Sequence, residues 1–434
     1  FLWVLADEGV KRVDMDGFID NQGNFGADGI VGPHHEKEGS YYTIKQLWSP
    51  VQVMNTAIDR NFDGKLSVEN RYDYLNLNTC RFIWQQVKFP SVTDASNTTT
   101  RILKQGEVQG SDVAAHGVGV VDIKTSILPE TDALFLTVID KYGYELWRWT
   151  FPVDKLNRET EQFSASSGRA SYTETEKGIT VKANGRTFVF SKKDGQLKDV
   201  SVNNRKISFA NGPRFIGARR ADRSLDQFYN HDDEKAKAKD RTYSEFTDAA
   251  VFTKLDVKEE GGNLILTANY KLGNLDKAQW TIHPDGMATL DYTYNFSGVV
   301  DLMGICFDYP EEQVLSKRWL GAGPYRVWQN RIHGTQYDIW ENDYNDPIPG
   351  ETFTYPEFKG YFGSVSWMSI RTKEGTISLT NETPDSYIGV YQPRDGRDRL
   401  LYTLPESGIS VLNVIPPVRN KVNSTDLCGS PSCS

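Results

Sequence analysis

The sequence predicts a mainly β protein: one β/α unit, then a β-sandwich module of about 100 residues, then a large antiparallel β-sandwich. Three observations lead there. Aromatic residues make up 12% of the 434, with 10 Trp, 21 Tyr and 21 Phe, and such side chains suit pleated, half-buried strand surfaces and flat-faced ligand contacts. From residue 50 onward the apolar residues fall in short alternating runs rather than long runs of helical period. Turn dipeptides then punctuate the chain roughly every ten residues, as in a meander of hairpins.

Length and charge bound the reading further. At ~150 residues per domain the chain suggests about three domains with real hydrophobic cores. No apolar run approaches the ~20 residues of a membrane helix, so a helical span is excluded. Lys and Arg number 49 against 58 Asp and Glu, net −9, and the basic residues are scattered, which disfavours nucleic acid as a partner.

The elements follow in order. Phe1-Leu-Trp-Val-Leu5 is a continuous apolar run of the kind found in a strand buried on both faces, which cannot stand alone. A Gly/Asp-rich loop over residues 14–33 leads to a helix predicted over 36–47. Short strands are predicted over 49–58, 65–68, 80–89, 117–127 and 133–140, the last turning at Asp140-Lys-Tyr-Gly143 into a partner over 144–151. Residues 155–171 are polar and poor in branched apolar side chains, which marks a linker. Hairpin turns are predicted at Asn184-Gly185, Asp194-Gly195, Asn203-Asn204, Gly261-Gly262 and Pro284-Asp285-Gly286, implying two large stacked sheets. The charged stretch from His231 to Arg241 reads as a solvated loop or short helix. After Gly408-Ile-Ser-Val-Leu-Asn-Val-Ile415 the chain turns polar, so a last strand is expected to be missing, and with neither an initiator Met nor a signal-peptide pattern visible at Phe1 the whole reads as a fragment.

Candidate chemistry is sparse. Six histidines and four cysteines show no zinc-finger spacing; Cys80 and Cys306 read as buried thiols, and Cys428 and Cys433 could close a small disulfide loop. The stretch Asp59-Arg-Asn61-Phe-Asp63-Gly64 mimics a calcium loop, but Asn70 stands where the bidentate Glu belongs, so a turn with Asp63-Gly64 at its tip is the better reading. Solvation likewise outweighs cation binding for the acidic loop of Asp14, Asp16, Asp20 and Asp28. Asp7 and Glu8 follow a strand end, yet as neighbours they point apart and make a poor glycosidase pair. His116-Gly-Val-Gly119 lacks the third glycine and following helix of a dinucleotide loop. The segment Trp319-Leu-Gly-Ala-Gly-Pro-Tyr-Arg-Val-Trp-Gln-Asn-Arg331 reads either as an edge turn with Trp328 covering the core or as a carbohydrate or interdomain contact surface. Four glycosylation sequons (Asn97, Asn295, Asn381, Asn423) are expected at this Asn and Thr content by chance.

Several of these stretches carry a resemblance. Phe1-Leu-Trp-Val-Leu-Ala-Asp7, Asp28-Gly-Ile-Val31 and Tyr41-Tyr-Thr-Ile-Lys45 resemble the eighth strand, loop and final helix of the TIM barrel in family 2 glycoside hydrolases of the β-galactosidase type. Asn70-Arg-Tyr-Asp-Tyr-Leu75 and Cys80-Arg-Phe-Ile-Trp84 resemble the Ig-like sandwich after that barrel. Residues 188–197, Gly212-Pro-Arg-Phe215 and the 320–331 segment, the most specific of them, resemble its large galactose-mutarotase-like supersandwich.

The resemblance implies a truncated barrel unit over 1–49, an Ig-like β-sandwich over 50–154, a linker over 155–172 and a β-supersandwich over 173–434. It implies a retaining glycosidase acting on terminal β-glycosides, with both catalytic glutamates upstream of Phe1 and no catalytic residue in this chain. Trp3 and Asp28 become substrate contacts, and a sodium or divalent ion belongs with the parent protein rather than with residues that can be named here. Asp28 stands where the common enzymes carry Asn, Gly32 where they carry an aromatic, and residues 212–226 lack a Trp-Arg-Ala-Pro-Thr-Asp-Asn-Asp pattern, so the substrate is expected to differ from lactose. Carbohydrate and the upstream barrel are the implied partners, homo-oligomers are compatible with the fold, and the setting is periplasmic or secreted in a bacterium. The competing readings are a non-catalytic carbohydrate-binding scaffold and a polysaccharide lyase, the latter needing a Tyr/His/Arg cluster that spacing does not reveal.

Overall fold

The computed structural model describes residues 4–6, 10–20, 29–31, 35, 37, 39–94, 99–153, 168–220, 243–245, 248–343, 360–383, 385–390, 407–417 and 432–433. It is mainly β, with antiparallel sheets and, among the described residues, one α-helix, Gly39–Leu47.

At the start of the chain Ala6 bridges Val31 in parallel, and the Ile30 and Val31 amides donate to the carbonyl of Leu5. Among the described residues of this run Val4 is 36% and Leu5 67% exposed, so at these two positions the chain is not buried on both faces. The helix starts at Gly39 rather than 36 because Lys37 is still extended, bridging Val31.

The smaller sandwich pairs a three-stranded sheet (Val51–Val53, Lys65–Asn70, Val118–Asp122) with a four-stranded one ordered Arg101–Gln109, Arg81–Lys88, Ala133–Ile139, Glu145–Pro152. Period-2 alternation builds its core: Val51, Leu66, Val68 and Val121 from one sheet meet Phe82, Leu134, Leu136, Trp147 and Phe151 from the other. Two strands end earlier than their composition suggests. The Asn55 carboxamide accepts from the Ser67 amide at 2.9 Å and takes the place of a ladder partner. Lys124, at φ 54°, turns the chain after Asp122, whose carboxylate accepts the Lys124 amide. Gln86 is fully buried in this sandwich. Its amide donates to Thr125 and Ser126 and its carbonyl accepts from Leu128 and Thr131, so a buried polar group leaves no bond unmade.

Among the described residues the large sandwich is one eleven-stranded sheet faced by two four-stranded sheets, rather than two large ones. Val251–Glu260, Asn263–Lys271, Leu275–Ile282 and Ala288–Tyr294 form the first small sheet; its Leu264, Leu266, Trp280 and Ile282 pack on Ile179, Val181, Phe190 and Ile305 of the long sheet. Val314–Gly323, Gln336–Asp343, Trp367–Thr372 and Gly375–Thr380 form the second, where Trp319, Met368 and Ile370 meet Phe362, Ile388 and Ile409. Splitting the second layer lets it follow the twist of a long sheet. The predicted hairpin turns occur where the dipeptides stand: Asn203 and Asn204, for example, take φ 49° and 64° between two paired strands.

Cys80 and Cys306 are buried free thiols. Ser432–Cys433, within the polar tail, pairs with Gly298–Val299 as a short strand; Cys428, residues 155–167 of the expected linker and the stretch His231 to Arg241 lie outside the described residues.

Candidate functional site

Trp3 and Asp28, the two expected substrate contacts, lie outside the described residues, as do Asp7, Glu8 and Gly32. The calcium-like loop is a turn: Asp59 and Asp63 each accept a backbone amide two residues on, from Asn61 and Lys65, and Gly64 sits at φ 88°. The Lys65 bonds hold the Asp63 carboxyl below its usual range. Among the described residues no group of three or more His, Cys, Asp or Glu side chains could hold a metal ion.

The side chains the structure does assemble are at the junction where the helix meets both sandwiches. The segment 319–331 divides its labour. Trp319 and Trp328 are fully buried, Trp319 edge-on to Phe362 at 4.8 Å and Trp328 edge-on to Tyr361 at 5.6 Å. These two anchor the segment in the core. Tyr325 and Arg331 face the other way, towards the helix. Tyr325 lies over Tyr42 with ring centroids 5.6 Å apart, and Arg331 donates to the Ser40 hydroxyl at 3.0 Å. Thr43 donates to the His333 carbonyl at 2.8 Å, and the Gly334 amide donates to the Gln46 side chain. Gly334 has φ 88°, and a Cβ there would lie 2.5 Å from the Thr43 nitrogen, so no larger residue fits against the helix. Burial pushes the Tyr325 and Tyr42 hydroxyls up, so both remain neutral. On the opposite side Lys45, in the last helical turn, pairs with Glu145 of the smaller sandwich at 2.7 Å.

The two sandwiches also meet each other directly. Arg148 donates to Gln336 at 2.8 Å and to Asp338 at 3.1 Å, while Thr100 donates to the other Asp338 oxygen at 3.0 Å. Below them Phe89 and Phe135 pack with Leu320 and Trp367, and the Trp367 indole donates to the Pro90 carbonyl. Both faces of the strand Ala133–Ile139 are consequently covered, Leu134 and Leu136 by the smaller core and Phe135 by this interface.

Of the two alternatives for the 319–331 segment, the first holds for Trp328, which is in the core, while Tyr325 and Arg331 contact Tyr42 and Ser40 of the helix. The charged pairs Arg148–Asp338 and Lys45–Glu145 were not visible in the sequence. Each joins residues 100 or more apart, and only a charged residue between two tryptophans (Trp147, Arg148, Trp149) hints at one of them.

Fold and junction together define a β-sandwich scaffold that grips a helix from two sides. The family profile described as beta galactosidase small chain matches residues 182–406, over half of the sequence, and the chain belongs to that family. It is also similar to a beta-galactosidase of Priestia megaterium (strain DSM 319 / IMG 1521), 21% identical over 419 residues, which cover 88% of this chain and 38% of that protein. The chain thus spans under half the length of this relative.

Proposed function

We propose that the chain is the C-terminal portion of a retaining glycoside hydrolase that cleaves terminal β-glycosides. The observation that carries this reading is the family match together with a similarity running along most of this chain but little over a third of the beta-galactosidase. In such an enzyme one carboxylate attacks the anomeric carbon and a second, ~5–5.5 Å away, protonates the leaving oxygen and then activates water. Both groups belong to the upstream barrel. Residues 1–49 contribute the barrel's last strand and helix, with Trp3 offering an aromatic face to the sugar and Asp28 a hydroxyl contact. Residues 50–154 and 173–434, joined by a linker over 155–172, are the two sandwiches that hold that helix in register with the barrel. The enzyme works in a periplasmic or secreted setting.

The test is the stereochemistry of the intact parent on nitrophenyl β-galactoside, followed by proton NMR. A first-formed β-anomer is expected. A first-formed α-anomer would rule out the retaining route, and no hydrolysis of any aryl β-glycoside would rule out the enzyme.

A further inference from the structure

The helix Gly39–Leu47 has nine residues, too few to hold its place alone, since isolated helices below ~12–15 residues are marginal in water. What touches it sets its position. Along one side the 325–334 segment does so residue by residue. A Cβ on Gly39 would stand 3.3 Å from both the Arg331 guanidinium and the Tyr325 ring, Ser40 accepts from Arg331 at 3.0 Å, Tyr42 lies on Tyr325, and Thr43 donates to the His333 carbonyl.

The cation at the helix start is at the wrong end for the helix itself. Arg331 sets positive charge against a first turn that holds no acidic residue, and there it opposes the helix dipole. Lys45 in the last turn, paired with Glu145, complements that dipole. Lys45 therefore supports the helix as a helix, whereas Arg331 fixes where its first turn lies.

From that turn a continuous set of contacts runs to the start of the chain. Tyr42 meets Tyr41 edge-on at 5.3 Å, and Lys37 holds its ammonium over the Tyr41 ring at 5.2 Å. The backbone of Lys37 bridges Val31, and Val31 bridges Ala6. The Ile30 and Val31 amides both donate to the Leu5 carbonyl at 3.0 Å. The pairing between residues 4–6 and 30–31 is thus joined to Tyr325 and Arg331 of the large sandwich through an unbroken physical network.

We propose that Arg331, backed by Tyr325, is a positioning residue: by holding the first helical turn, and with it Lys37, the large sandwich sets where the strand end at residues 4–6 and its partner at 30–31 lie. That this strand end adjoins a bound sugar rests on the glycosidase reading; the coupling itself rests on the contacts. A misplaced strand end weakens substrate binding without touching the reacting atoms.

The experiment combines amide hydrogen exchange, read by mass spectrometry, with nitrophenyl β-galactoside kinetics, both on the intact parent well below its melting temperature. In Arg331→Ala and in Ser40→Ala, exchange of the Ile30 and Val31 amides should quicken about tenfold, the size expected for one charged hydrogen bond, while Phe82 and Leu264 in the two sandwich cores are unchanged. KM should rise about fivefold with kcat held. Ser40→Thr keeps the hydroxyl and should behave as wild type. Lys45→Ala should lower Tm slightly and leave exchange and KM within about twofold of wild type. A merely structural role for Arg331 would reduce the active fraction, and so kcat, without moving KM. Exchange at residues 30–31 no faster than in wild type, equal acceleration in Lys45→Ala, or acceleration spread through both cores would overturn the coupling. A fall in kcat at constant KM would overturn the positioning role. A parent that hydrolyses nothing overturns the glycosidase reading and leaves the coupling to be decided by exchange, which needs no substrate, so the two readings fail separately.

Discussion

Arg148 in the smaller sandwich and Asp338 in the larger one meet at 3.1 Å, and the same carboxylate takes a hydroxyl from Thr100 through its other oxygen. The side chains are 25% and 16% exposed, so this is a partly desolvated contact between modules rather than a surface pair. Removing one partner strands the other. Asp338→Ala is expected to destabilise the chain by about 2–3 kcal/mol, and a double-mutant cycle with Arg148→Ala should return a coupling of at least ~1 kcal/mol, read from urea midpoints. Additive losses would mean that the two sandwiches do not depend on this pair.

Gln86 makes a second, local prediction. Replacing it with Leu leaves the Leu128 amide and the Thr125 and Thr131 hydroxyls facing a buried apolar side chain. The expected cost is about 2–3 kcal/mol, seen as a lowered Tm with an unchanged far-ultraviolet spectrum. A Tm within a degree or so of wild type would show that water or neighbouring groups replace those bonds.

Acid sensitivity should be traceable to Asp308. Burial works to raise its pKa, but hydrogen bonds from Arg214 at 2.6 Å and from Asn211 outweigh it, and the carboxyl is held below its usual range. A carboxyl depressed in the folded state contributes stability that is present above the unfolded value near ~3.9 and lost as pH falls through the folded value. The stability gap between wild type and Asp308→Asn should therefore narrow on going from about pH 6 to about pH 3, followed by urea unfolding. A gap that stays constant across that range would remove Asp308 from the acid response.

Trp3 can be probed only in the intact parent. Trp3→Ala should cost on the order of 1–3 kcal/mol in kcat/KM, with little change in the melting of the two sandwiches, because each has its own core. Unchanged kcat/KM with a large fall in Tm would return Trp3 to a packing role.

The hairpins of the large sandwich were legible because their turns are local chemistry. Asn203-Asn204 and Gly261-Gly262 take the positive φ that such dipeptides tolerate, and the flanking strands follow. The strand expected over 49–58 is only Val51–Val53 because the side chain that ends it, Asn55, acts through Ser67, twelve residues away. The division of the second layer into two four-stranded sheets was hidden for a related reason: strand alternation reports which face is buried and not which sheet is joined. In the 319–331 segment Trp328 could be read as core. That Tyr325 and Arg331 grip Tyr42 and Ser40 depends on pairing across more than 280 residues, which no local pattern encodes.

The central claim is that these residues are the supporting part of a β-galactosidase-type enzyme whose catalytic glutamates lie upstream. The most direct measurement is turnover of nitrophenyl β-galactoside by the purified 434-residue chain beside that of the intact parent, at equal concentration. The account predicts hydrolysis by the parent and none by the shorter chain. Turnover by the shorter chain that survives re-purification and is lost on Asp7→Asn or Glu8→Gln would contradict it.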